Sequence, residues 1–197
     1  MRNVYNFSLR AWLLSLLCLI IGGRAAADTG TTAPTTDDYI TVNEVTLVPG
    51  SSDEYQVVVS LHGSQIYTAC QADIEFPLGV YPVKMGKKYV KVCTGDDDLC
   101  TDHSITSNYG GNVGERTMRL SCFSADGFDF AGQSGRMFYF KVKVSPYLKP
   151  GDVTLKVTGL ALITNENLGT EYSCKDQTLT LHAEAKSTVN VSVSGSS

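Results

Sequence analysis

Between Ile66 and Phe76 the chain alternates strictly: Ile66, Thr68, Cys70, Ala72, Ile74 and Phe76 share one parity, and Tyr67, Ala69, Gln71, Asp73 and Glu75 the other. A period of two sends successive side chains to opposite faces of a sheet, so the stretch predicts a half-buried strand. Pro77 lacks a backbone donor and Gly79 tolerates positive φ, which predicts a turn that ends the pairing. On this parity Cys70 belongs to the core. Tyr67, Gln71, Asp73 and Glu75 form an outward row, a candidate contact surface for a partner.

The same short period recurs along the chain, and no stretch holds a helical one. Tyr55, Val57, Val59 and Leu61 form one inward face, Met118, Leu120 and Cys122 another, and Phe138, Phe140, Val142 and Val144 a third. Leu179 and Leu181 are a buried pair near the end. Tyr39 to Val48 changes phase near Asn43-Glu44, which predicts a bulge. Pro49-Gly50 and Pro150-Gly151 read as turns, with Pro fixing φ and Gly taking the positive φ that follows. About nine short strands punctuated in this way predict an all-β, nine-stranded sandwich with jelly-roll topology.

The ends differ from this middle. Arg2 and Arg10, an apolar run from Ala11 to Ile21 and the small residues Ala25 and Ala27 predict a secretory signal over 1–27, too short a run to span a bilayer well. Leu17 before Cys18 disfavours lipid attachment there. The threonine-rich stretch 28–38 reads as a flexible leader, 39–184 as the domain, and 185–197 as a tail or extra edge strand. Localisation is thus expected to be exported: extracellular, cell surface or periplasm. Removing 1–27 takes three arginines and no acid, so the formal charge of −4 becomes −7. Such a chain is a poor nucleic-acid ligand, and Lys84, Lys87, Lys88 and Lys91 read as guards of a strand edge.

Five cysteines remain after Cys18 is removed. Cys93 and Cys100 bracket a short acidic loop and are the favoured disulfide in an oxidising compartment; Cys70 and Cys122 both point inward and are a possible second pair. Cys174 has no evident partner. Asp96, Asp97, Asp98 and Asp102 are weak calcium candidates, with Asp126 and Asp129 weaker still, and neither calcium spacing nor a zinc set built on Cys93, Cys100, Asp102 and His103 follows a known ligand pattern. No cofactor is expected.

No nucleophile elbow or zinc-binding pair accompanies His62, His103 and His182, and Asp73 and Glu75 read as the polar half of a strand, so an enzyme is not expected. The only tryptophan, Trp12, leaves with the signal. Any sugar site would therefore rest on tyrosines: Tyr81, Tyr89, Tyr109 and Tyr147.

The order of signals resembles the cohesin-like β-sandwich domains of secreted and surface proteins of Bacteroidota. The carrying segments are Pro49-Gly50, Val57 to Leu61, Tyr67 to Val80, Arg119-Leu120-Ser121-Cys122-Phe123-Ser124, Phe130-Ala131-Gly132 with Gly135, Pro150-Gly151-Asp152 and Leu162-Ile163-Thr164-Asn165, across about residues 39 to 183. Such domains are similar in fold to the carbohydrate-binding modules of cellulose scaffolds, and the resemblance implies a nine-stranded jelly roll. It also implies a non-catalytic binding module for adhesion or surface assembly, with a polysaccharide or protein partner. A dockerin-bearing protein, or a purely structural spacer role, is the alternative. The chain itself shows no Asp-x-Asn-x-Asp-Gly repeat of the dockerin calcium-loop type.

Overall fold

A computed structural model describes residues 33–110, 115–166 and 169–185. The expected signal segment, the first part of the leader and the tail from 186 onward lie outside the described residues. The strands are β1 (Thr35–Thr36), β2 (Tyr39–Val42), β3 (Thr46–Leu47), β4 (Tyr55–His62), β5 (Ala69–Glu75), β6 (Val80–Val83) and β7 (Val90–Val92). They continue with β8 (Ser104–Tyr109), β9 (Thr117–Phe123), β10 (Ser134–Val144), β11 (Gly151–Ile163), β12 (Glu171–Cys174) and β13 (Gln177–Ala183).

Two sheets face each other. The larger runs β1-β12-β11-β5-β9-β8, with β13 pairing along the first half of β11 and β3 added beside β13. The smaller runs β2-β4-β10, and β6 and β7 share the far edge of β10. The expected all-β sandwich is thus present. More strands than nine appear because β1, β3 and β7 are pieces of two or three residues.

The inward rows meet between the sheets as the alternation requires. Cys70, Ala72, Ile74 and Phe76 from β5 and the turn after it, and Met118, Leu120 and Cys122 from β9, face Val57, Val59, Leu61, Phe138, Phe140 and Val142 of the smaller sheet. Phe76 and Phe140 make an edge-to-face contact at 5.7 Å between ring centroids, a favoured aromatic geometry. Gly79 takes a φ of 91°, so the Pro77–Gly79 turn closes as its residues dictate.

The phase change near Asn43 is a change of sheet and not the expected bulge. Ile40 is buried from β2 in the smaller sheet, whereas Leu47 is buried from β3 in the larger one. The Asn43 side-chain oxygen accepts the Val58 N–H at 2.6 Å, holding the chain to β4 as it leaves. The bulges lie elsewhere, between Arg136 and Phe138 in β10 and between Thr158 and Ala161 in β11. In β10 the extra residue lets both Met137 and Phe138 be buried.

Part of the stretch read as a flexible leader is tied to the sandwich. Thr35 and Thr36 pair in parallel with Ser173 and Cys174. Asp38 is buried and accepts the backbone N–H of Ser64 at 2.9 Å, the Ser64 hydroxyl at 3.2 Å and the Tyr67 hydroxyl. A buried carboxylate needs such donors, because an unpartnered one is strongly penalised. Tyr67 is accordingly not on the outer face where its parity placed it: it is fully buried. Regular pairing of β5 starts only at Ala69, and Ile66, expected inward, is exposed. Burial, with Asp38 as a second cause, pushes the Tyr67 phenol above its usual pKa. Asp38→Ala strands the Tyr67 hydroxyl and the Ser64 N–H, and is expected to lower the unfolding free energy by about 1–3 kcal/mol in a denaturant titration. A chain trimmed to begin at Tyr39 should lose at least as much.

Candidate binding face

The outer surface of β11-β5-β9-β8 is a grid set by register. One row runs Thr158, Asp73, Arg119, Asn108, and the next Ala161, Gln71, Ser121, Thr106. On one side lies Lys156, Glu75, Thr117; on the other Ile163, Ala69, Phe123, Ser104. Polar and apolar groups therefore share one sheet surface, with Gln71, Asp73, Ser121 and Phe123 half-buried among neighbours and Arg119, Asn108 and Thr106 exposed.

Asp73 and Arg119 form its centre. The Arg119 Nε–H donates to Asp73 Oδ1 at 2.8 Å and Nη2–H to Oδ2 at 2.7 Å, a two-pronged match of planar groups. The Arg119 side chain is 66% exposed, so the pair adds at most about 1 kcal/mol to stability. Its effect is positional: it ties the exposed guanidinium to Asp73 of the neighbouring strand. At the rim Lys156 Nζ lies 3.9 Å from Glu75 Oε2, a loose pair open to exchange.

Three of the four expected contact residues, Gln71, Asp73 and Glu75, thus lie together on this face, and Tyr67 does not. Arg119, Ser121 and Phe123 are the additions. Their outward direction follows from Met118, Leu120 and Cys122 pointing in, but only the β5–β9 register places them beside Asp73 and Gln71.

The expected tyrosines lie apart from it. Tyr89 and Tyr109 stack at a tilt 5.6 Å apart and Tyr109 meets Phe76 edge-on at 6.0 Å, so both are half-buried core margin. Burial raises the Tyr109 phenol, with Tyr81 and Tyr89 nearby. Lys84 Nζ lies 5.9 Å from the Tyr89 ring centre. Tyr81 and Tyr147 are exposed on other surfaces, β6 and the loop after β10.

The acidic loop is built around Asp98. Asp98 is buried; it accepts the Gly95 N–H and, at 2.6 Å, the Arg136 Nε–H. Leu99 N–H donates to Arg136 O and Ala131 N–H to Leu99 O, so the loop is sewn to β10 and to the segment after β9. Asp96, Asp97 and Asp102 are exposed around it, and no group of three acid, His or Cys side chains placed for a metal occurs among the described residues. Asp126 is exposed, and Asp129 instead accepts from Asn165 at 2.9 Å.

The five cysteines among the described residues are free thiols in the structure. Cys93 has Asp98 and Arg136 as charged neighbours, and its pKa is raised mainly by burial. Cys100 is fully buried and contacts Cys122.

The three histidines are dispersed. His62 stacks on Tyr39 at 4.7 Å, and His182 sits 3.4 Å from Asp152 on the surface. His103 is buried, its Nε2–H donating to Thr68 O at 3.1 Å and its ring packed against Phe130. A cleft of about 590 Å³ between β7, β10, the acidic loop and the start of β8 is lined by Gln56, Lys91, Cys93, Asp98, His103 and Arg136 among others. No helix among the described residues is long and apolar enough to cross a membrane.

Solved structures with this architecture are cohesin modules. The seventh ScaB type I cohesin of Pseudobacteroides cellulosolvens superposes with a TM-score of 0.57 at 13% identity, covering 80% of this chain and 98% of that one. A non-cellulosomal cohesin of Archaeoglobus fulgidus gives 0.53 at 13% identity over 76% and 93%. A chain from a type I cohesin–dockerin complex of Clostridium thermocellum gives 0.51 at 19% identity over 76% and 100%. The fold is therefore the cohesin jelly-roll sandwich. No protein-family model and no curated protein sequence matches the chain.

Burial lowers the His103 pKa below its ordinary 6.5, against smaller opposing effects of Thr68 and Phe128 backbone contacts and of Asp102 and Asp129. The unfolded chain then binds a proton at a higher pH than the folded one, so stability falls as pH drops below about 6.5 and levels off below the folded value. Chemical denaturation at several pH values should show this slope in the wild type and a weaker one in His103→Gln.

Proposed function

We propose that this is an exported, non-catalytic module for adhesion or assembly at a cell surface, and that the outer face of β11-β5-β9-β8 docks a protein partner. The observation that carries this reading is the register itself. It assembles an exposed Arg119 paired with Asp73, an amide at Gln71, hydroxyls at Ser121 and Thr106 and an apolar row at Phe123 and Ile163 on one continuous sheet surface. Arginine and aromatic groups at the centre of a mixed surface are the usual anchors of protein interfaces.

Sugar recognition is the second reading and has less behind it. Among the described residues this face carries no tyrosine or tryptophan, and the tyrosines expected to stack on sugars are at the core margin or scattered. A dockerin is the partner to test first, because one chain of similar fold was solved in a cohesin–dockerin complex.

The test is calorimetric titration against a panel of dockerin modules, with a glycan array in parallel. Arg119→Ala combined with Phe123→Ala should weaken dockerin binding at least tenfold, about 1.4 kcal/mol or more. Lys91→Ala on the other sheet should leave it unchanged. Saturable glycan binding insensitive to Arg119 and Phe123 would contradict the reading, and silence in both assays would favour a structural spacer.

A further inference from the structure

Three buried thiols meet in the core behind the binding face. Cys70 of β5 and Cys122 of β9 are directly opposed in the antiparallel ladder and are 2% and 1% exposed. Cys100, fully buried, arrives from the acidic loop. The Cys122 thiol has the Cys70 and Cys100 thiols as neighbours.

Geometry ranks the possible bridges. Directly opposed residues of an antiparallel pair have Cα atoms about 4.5–5.5 Å apart, inside the roughly 4.4–6.8 Å that a disulfide spans. Cys70 and Cys122 also point to the same side of the sheet, so bonding them needs no change of register. Cys174 lies on β12, with β11 between it and β5. Two strand spacings are about 9–10 Å, beyond the limit of about 7 Å. Cys93 has Asp98 and Arg136 as its charged neighbours and is not opposed to any of the three thiols in a strand ladder. Cys100 and Cys70 share a single neighbour in Cys122, so the cluster supports one bond at a time.

We propose that Cys70 and Cys122 form one disulfide joining β5 to β9 when the chain folds in the presence of a small-molecule disulfide, with Cys93, Cys100 and Cys174 left as thiols. Two S–H bonds are lost and one S–S bond forms; two electrons and two protons pass to the oxidant, whose disulfide becomes two thiols. The sulfurs are out of reach of an oxidant in the finished sandwich, so the bond forms before the core closes. Afterwards Cys100 is a poor attacker, because exchange requires a thiolate and the site is dry and apolar. The bond would staple together the two strands that carry Gln71, Asp73, Arg119 and Ser121.

The reduced chain without residues 1–27, which retains five cysteines, is refolded in a mixture of reduced and oxidised glutathione, then unfolded, alkylated, weighed intact and digested. The expected result is three alkylated cysteines and a peptide linking Cys70 to Cys122. Reduction should then lower the melting temperature by roughly 5–10 °C. Cys100→Ala should keep the linkage, and Cys122→Ala should leave all four remaining cysteines alkylated. Five alkylated cysteines in the wild type, a single one, or a linkage of Cys100 to either Cys122 or Cys93 would overturn the proposal.

Discussion

The pairing of β5 with β9 on one edge and β11 on the other is the constraint on which the rest of the molecule depends. It places Cys70, Ala72, Ile74 and Phe76 between the sheets, opposite Val57, Val59, Phe138 and Phe140. The same pairing decides what lies outside. A slip of one residue would send Ile74 to solvent and Asp73 to the core, a double penalty of lost apolar burial and an unpartnered charge. Core and outer surface are thus two sides of one register, so whatever keeps the interior well packed also keeps the surface geometry of Asp73 and Arg119.

Two buried carboxylates finish what the alternation leaves open. Asp38 gathers Ser64 and Tyr67 and draws residues just before β2 onto the sandwich, and Asp98 gathers Gly95 and Arg136 and closes the loop between β7 and β8. Each satisfies donors that would otherwise be stranded where the chain leaves regular pairing. Both do so mainly through residues distant in sequence, Asp38 through Ser64 and Tyr67 and Asp98 through Arg136.

Legibility from sequence followed the range of the forces involved. Strand parity is local, so the inward rows of β4, β5, β9, β10 and β13 and the turn at Gly79 were readable, and with them the sandwich. The outward direction of Gln71, Asp73 and Glu75 came from the same source. Tyr67 failed because its position depends on Asp38, 29 residues earlier, a contact no periodicity announces. Arg119 and Phe123 were unassigned because their nearness to Asp73 and Ala69 is a matter of long-range register. Cys100 is buried beside Cys122, a placement that spacing alone does not encode. The phase change at Asn43 was visible, but sequence does not distinguish a bulge from a crossing between sheets.

The central claim is that the outer side of β11-β5-β9-β8 is where a partner docks. Backbone amide NMR of the labelled chain, titrated with a dockerin module that binds it, tests this most directly. The account predicts shift changes concentrated at Gln71, Asp73, Arg119, Ser121 and Phe123 and their neighbours on β8 and β11, with β4 and β10 unmoved. Changes centred instead on Gln56, Lys91 and Tyr139 of the smaller sheet would contradict it.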